Sequence, residues 1–324
     1  SGIRPPKLAS YAPRIWDYWE RNLDPDLFVD RTLEGQVRDR VVLITGGSAG
    51  IGKAAAIRLA AAGAKVIITA RTREKLDETC AEIAAQGGQG FAYVCDGADL
   101  ESVDRVVQQI EADHGGVDIL INNAGRSIRR SVALAYDRFH DFERTMQLNY
   151  FGALRMILRV LPGMDRRRRG HIINISSIGV LGHPPRFSAY IASKSALEGF
   201  SLCAAAEYSD RNISFTNVNM PLVRTEMIAP TKIYEYAPAM EVHEAVEMIV
   251  EAIIHRKARV ATGMGVLMSA MGALFPKFSE ITNNATFRMF PDSEAAKGLP
   301  AGAAAQEPTS EQVAMAQLMK GVHF

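Results

Sequence analysis

Short apolar runs, rich in Val and Ile, recur between residues 41 and 262 and alternate with longer stretches of mixed polarity. The runs are Val41-Val42-Leu43-Ile44, Val66-Ile67-Ile68-Thr69, Phe91 to Cys95, Val117 to Ile121, His171 to Ile175, Ile213 to Val218 and Arg259 to Ala261. A run that is apolar at nearly every position, not at every second one, reads as a strand covered on both faces. The Ala-, Leu- and Glu-rich stretches between the runs are long enough for crossover helices. Strands alternating with helices predict an α/β fold with a doubly wound parallel sheet, placed over residues 40–262. Two appendages flank it. Residues 1–39 carry Ile15, Trp16, Trp19 and Leu23 at helical spacing and predict an arm that docks on the domain. Residues 263–324 open on an apolar Met/Gly/Ala run from Gly263 to Phe275, pass an Ala/Gly/Pro linker near 300–308 and end in a short helix. There Thr309 and Gln312 have capping-box spacing, with Gly321 as the stop.

Composition narrows the class. The 324 residues are 48% hydrophobic and 23% charged, as in an ordinary globular protein. Lys+Arg 37 against Asp+Glu 36 leaves a net charge of +1, which gives no nucleic-acid signature. Cys80, Cys95 and Cys203 are far apart and form no CxxC, so neither a disulfide scaffold nor a metal site is expected and a cytoplasmic location is. The chain opens on Ser1-Gly2 and is expected to be a piece of a longer polypeptide.

Chemistry enters with the turn Thr45-Gly46-Gly47-Ser48-Ala49-Gly50-Ile51-Gly52, set between the first strand and a helix. Glycines let the backbone approach a pyrophosphate, and the helix start offers unpaired N–H groups. A dinucleotide in a Rossmann-type sheet is the expectation. An acid after the second strand would accept hydrogen bonds from a ribose 2′-hydroxyl and mark NAD. This sequence reads Thr69-Ala70-Arg71-Thr72-Arg73 there, and arginine suits a 2′-phosphate, so NADPH is the predicted cofactor, with Arg71 and Thr72 at that phosphate.

Ser177 is followed thirteen residues later by Tyr190 and four further on by Lys194. Tyr190 and Lys194 share one helix face. An ammonium beside a phenol favours the phenolate and lowers its pKa from about 10, making the phenol a usable general acid. Ser177, at a strand exit, can donate to the same substrate oxygen.

With these motifs in place the chain resembles the short-chain dehydrogenase/reductase family over roughly residues 40–262. The resemblance rests on the glycine turn, Asp96 after the third strand, Asn122-Asn123-Ala124-Gly125 after the fourth, Asn149, Ser177 and Tyr190-x-x-x-Lys194. It implies catalysis by Asn149, Ser177, Tyr190 and Lys194, with Lys194 on the nicotinamide ribose and Asn149 ordering a proton-relay water. It also implies cofactor contacts from Gly46, Ser48, Ala49, Gly50, Ile51 and Gly52, from Asp96 at the adenine, and from Asn123, Ala124 and Gly125. One departure is Asn219-Met220-Pro221-Leu222-Val223-Arg224-Thr225, where the family has Pro-Gly; Val223 and Thr225 remain the residues expected at the carboxamide.

The run from Met220 to Thr225 with Met227-Ile228-Ala229-Pro230-Thr231, the tryptophan arm and the Lys320-Gly321-Val322-His323-Phe324 end resemble the carboxy-terminal reductase domain of bacterial two-domain fatty acyl-CoA reductases. That resemblance implies reduction of a long-chain acyl-CoA to the aldehyde, as a step of fatty alcohol formation, and a partner reductase domain in the same parent chain. A homo-oligomer is also expected. From Arg126 to Arg169 stand eleven arginines against four acids, and this zone could attract the phosphates of coenzyme A. Arg126, Arg129 and Arg130 are the candidates, against the alternative of solvated patches; Arg166 to Arg169 sit where a helix end favours cations anyway. The apolar 263–275 run is too short to span a bilayer. It leaves open an acyl-chain cover, peripheral membrane contact, a subunit contact or core packing. Other readings stay open too: a carbonyl reductase of fatty aldehydes, 3-oxoacyl groups or lipophilic ketones, and a non-catalytic NADP-binding scaffold.

Overall fold

The computed structural model describes residues 32–226, 234, 236–292, 296–298 and 308–318. Its centre is a seven-stranded parallel sheet: β1 (Val41–Thr45), β2 (Lys65–Ala70), β3 (Gln89–Val94), β4 (Ile119–Asn122), β5 (Gly170–Ser177), β6 (Ile213–Met220) and β7 (Arg259–Ala261). The spatial order is β3-β2-β1-β4-β5-β6-β7. Sequence order reverses direction between β1 and β4, and ligands of such sheets sit in the crevice beyond the strand ends at that switch. All seven predicted strands are present.

Helices cover both faces. On one side α1 (Leu33–Val37), α2 (Gly50–Ala61) and α9 (Val242–His255) seal a cluster that includes Val42, Ile44, Ile68 and Ile121. On the other, α4 (Leu100–His114), α6 (Ala153–Arg167) and α8 (Ser188–Tyr208) enclose Leu43, Ile67, Leu120 and Ile172. Alternate residues of β1 thus serve opposite cores, which is why no polar position interrupts the run. Each such side chain contributes roughly 1.5–3 kcal/mol on burial. α3 (Arg73–Ala85) and α5 (Phe139–Met146) complete the layers.

Leu33 and Val37 of α1, at the end of the 1–39 stretch, are buried. Trp16 and Trp19 lie outside the described residues. The 263–275 run folds as α10 (Gly263–Leu274), capped by Thr262, whose Oγ1 accepts from Gly265 N at 3.3 Å. Gly265 meets Ile178 and Leu181 closely, while Val266, Leu267 and Leu274 are exposed. α11 (Pro276–Met289) and α12 (Ser310–Leu318) follow. The capping box forms: Thr309 N donates to Gln312 Oε1 at 2.9 Å and Gln312 N to Thr309 Oγ1 at 3.3 Å. The 300–307 stretch, Gly321 and the Lys320–Phe324 end lie outside the described residues. Among the described residues no helix is long and apolar enough to cross a membrane.

Candidate active site

A cavity of about 870 Å³ opens beyond the carboxyl ends of β1, β2, β4 and β5. Its first wall is the turn between β1 and α2. Gly46 takes φ +68°, and a Cβ there would stand 3.1 Å from the Ala124 backbone. Gly52 is tighter, since its Cβ would meet Gly46 O at 2.3 Å. The helix therefore starts hard against the turn. Ala49 caps α2 without a side-chain hydrogen bond, so the first-turn N–H groups remain for an anion beside Gly50 and Ile51. Strand β4 ends against the same turn. Asn123 Nδ2 donates to Thr45 O at 3.0 Å and to Gly46 O at 3.2 Å. Thr45 Oγ1 accepts from Asn123 N and Ala124 N, each at 3.0 Å. Thr45 opens the turn motif without a role assigned from the sequence, and it ties two strand ends together.

Arg71 and Thr72 line the cavity where β2 ends. Arg71 has no ion-pair partner among the described residues, whereas Arg73 is engaged at 2.9 Å with Asp77 along α3. Of the two arginines read from the sequence, one faces the cleft. Lys75 joins it, a cation the reading missed. Asp96 also lines the cavity and folds its own loop, its Oδ1 accepting from Ala98 N at 3.0 Å.

The floor holds Ser177, Tyr190 and Lys194. Ser177 closes β5 and accepts from Gly179 N at 3.1 Å at the start of the short α7 (Gly179–Gly182). Its hydroxyl and the Tyr190 phenol both line the cavity. Lys194 Nζ donates to Ile175 O at 2.7 Å. Burial pushes Lys194 down to about 8, with Glu198 opposing that shift. Burial also pushes the Tyr190 phenol up, with the Ser177 hydroxyl opposing that shift. This differs from the lowered phenol pKa anticipated from the spacing. Burial penalises both charges, and the ammonium is spent on a carbonyl.

Asn149 sits behind this floor in a π-helical stretch, Gln147–Gly152, between α5 and α6. Such wide turns often mark functional sites. Its Oδ1 accepts from Arg126 N at 2.8 Å, and its Nδ2 donates to Arg126 O at 2.8 Å and Ser193 Oγ at 3.0 Å. Both amide hydrogens are used, so a water it orders must be held through an oxygen. Gly125, Val223, Thr225 and Arg126 reach the cavity.

Arg129 and Arg130 do not. Arg129 donates to Pro291 O at 3.0 Å, and Arg130 pairs with Asp141 at 3.1 Å and also bonds Ala296 O. They latch the C-terminal segment and are not presented to a phosphate-bearing ligand. Arg166 to Arg169 precede β5 and so lie at the far end of the sheet, where Arg169 meets Asp118 at 2.8 Å and Arg167 meets Val117 O at 2.7 Å. The Met227–Thr231 stretch lies outside the described residues.

The short chain dehydrogenase family model matches residues 40–234, more than half of the chain and the span that builds this cleft. The chain belongs to that family. As a short-chain dehydrogenase it is an oxidoreductase, and its relatives sharpen the comparison. A fatty acyl-CoA reductase of Acinetobacter baylyi is 55% identical over 262 residues, which are 81% of this chain and 89% of the relative. A fatty acyl-CoA reductase of Mycobacterium tuberculosis is 41% identical over 259 residues, covering 79% and 88%. The crystal structure of a metagenomic short-chain oxidoreductase in complex with NADP matches with a TM-score of 0.61 at 27% identity, over 70% of this chain and 97% of that one.

Proposed function

We propose that this short-chain dehydrogenase uses NADPH to reduce long-chain fatty acyl-CoA to the fatty aldehyde and free coenzyme A. The observation that carries the chemistry is Tyr190, sharing with Ser177 and Lys194 the floor of a cleft walled by the glycine turn. The likeness to two fatty acyl-CoA reductases supports the substrate. The cleft suits the cofactor: Gly46, Ser48, Ala49, Gly50 and Ile51 would hold its pyrophosphate, Asp96 and Ala124 its adenosine side, and Val223 and Thr225 the carboxamide. Arg71 and Thr72, with Lys75 beside them, would hold a 2′-phosphate. Bound NADPH supplies the hydride. Ser177 and Tyr190 then act on the carbonyl oxygen, Ser177 donating to it as charge develops and Tyr190 delivering the proton. Lys194, one turn along the same helix, would hold the nicotinamide ribose. The thiohemiacetal collapses with its C–S bond breaking and coenzyme A leaving as the thiol, one acyl-CoA, one NADPH and one proton giving one aldehyde, one thiol and NADP⁺. Arg126, which lines the cavity, would be the loop arginine to meet coenzyme A.

The test is NADPH oxidation with palmitoyl-CoA, with thiol and aldehyde both quantified. One thiol released per NADPH consumed supports thioester reduction. Turnover of aldehydes or ketones without thiol release from palmitoyl-CoA would make the enzyme a carbonyl reductase instead.

A further inference from the structure

Beneath the catalytic floor a carboxylate is buried that the reaction above does not use. Glu198 stands one turn beyond Lys194 on α8 and is 4% exposed. Its Oε1 accepts from the Ser176 hydroxyl and, at 2.7 Å, from Asn219 Nδ2. Its Oε2 meets Arg259 of β7 at 3.2 Å. The same Asn219 amide donates to Ser177 O at 3.1 Å. One side chain thus touches the residue before Ser177, the amide that holds Ser177's backbone, and the strand beyond. A carboxylate so far from water is costly unless each lone pair is used, and here three donors converge on it. The positions about one turn to either side on α8, Lys194 and Ser201, are polar and buried as well.

We propose that Glu198 is a positioning residue for the reduction: it fixes the ends of β5 and β6 that carry Ser177, and its negative charge keeps Lys194 an ammonium despite its burial. The proposal rests on reading Tyr190 and Lys194 as the reacting pair, and it is independent of which carbonyl compound is reduced. Lys194 Nζ donates to Ile175 O of β5 and stands by the Gly125 backbone, with Tyr190 and Glu198 one turn to either side on its own helix. Arg259 faces Glu198 from β7. Among these, Glu198 is the one whose charge acts on Lys194, and it acts against the burial that draws Lys194 down to about 8.

The test compares Glu198→Gln and Arg259→Ala with wild type in pH profiles of kcat/KM for NADPH oxidation. Gln keeps a hydrogen-bond acceptor for Ser176 and Asn219 but removes the charge. Its alkaline limb is expected to move down by about one pH unit, with NADPH binding at pH 6.5 within about threefold of wild type, a difference of about 0.7 kcal/mol. Arg259→Ala leaves the carboxylate without its competing cation, so its limb is expected to move up. Arg259 is half exposed, so this arm remains informative even if the Gln variant fails to fold. Glu198→Asp should recover part of the wild-type limb. Profiles for Gln and Ala variants that superimpose on wild type would overturn the proposal. Wild-type turnover by Tyr190→Phe, run alongside, would instead overturn the reading of the reacting pair.

Discussion

Tyr190 and Lys194 share a helix face, as four-residue spacing requires, but their ionisation follows from burial and not from spacing. Burial raises the phenol and lowers the ammonium, so Lys194 is the group that titrates first as pH rises. Its folded value of about 8 is below its usual 10.5. The ammonium is intact at pH 7 and is lost through pH 8, and with it the charge that the proposed mechanism sets against the nicotinamide ribose. Activity measured as kcat/KM for NADPH should therefore fall above about pH 8. Between about 8 and 10.5 the unfolded chain holds a proton the native state has released, so this group makes stability increase with pH across that window. Tyr190→Phe removes the proton donor alone; turnover should drop about 10²–10⁴-fold, the usual worth of a general acid, with the NADPH dissociation constant nearly unchanged by fluorescence titration. Arg71→Ala should weaken NADPH more than NADH, by roughly 1.5–3 kcal/mol for a charged hydrogen bond. Equal loss for both cofactors would remove Arg71 from the 2′-phosphate. Residue type alone could not separate Arg71 from Arg73. Which arginine was free depended on Asp77, one helical turn beyond Arg73.

At the scale of elements the sequence was most readable where burial is total. The run Val41 to Ile44 supplies side chains to two cores at once, so no polar residue blurred it. The cleft's turn was readable because glycine is required there by contact: a methyl at Gly52 would overlap Gly46 O at 2.3 Å. Gly52→Ala should push the start of α2 off the turn, costing about 1–3 kcal/mol of stability and weakening NADPH in the same variant. Thermal melts together with cofactor titration check both effects; an unchanged melting temperature with normal binding would show that the turn can give way. The π-helical stretch around Asn149 left no mark in the pattern. It depends on where α5 and α6 meet the loop at Arg126, a tertiary demand that a 3.6-residue period does not record.

Across the whole molecule, charge was the least readable property, because an arginine announces its sign and not its partner. Arg129 and Arg130 looked like a phosphate-attracting loop next to the cleft, yet both reach more than 150 residues along the chain to Pro291 and Ala296. Arg186 joins them from the loop before α8. Its side chain is 4% exposed, lies 3.2 Å from Asp292, donates to Phe287 O at 3.0 Å and stacks 4.1 Å from the Phe287 ring. Asp292 also accepts from Ser131 N at 3.0 Å. The segment after α11 is thereby clamped over the loops that lead to Asn149 on one side and Tyr190 on the other. Phe290 is buried in the same cluster as Phe187 and Ile191, which flank Tyr190 in sequence. Asp292→Asn keeps the shape and removes the charge, leaving the Arg186 guanidinium buried beside a neutral amide. Breaking a buried pair from one side costs about 3–5 kcal/mol, so the melting temperature should fall by several degrees. The glycine turn lies on the other side of the cleft and makes none of these contacts, so NADPH affinity should hold while kcat falls as the Tyr190 end of α8 loosens. Titration of NADPH beside steady-state kinetics separates the two. A variant with lower stability but wild-type kcat would show that the clamp serves the fold alone, whereas a fall in kcat at full cofactor occupancy would tie the C-terminal segment to the geometry of the reacting phenol.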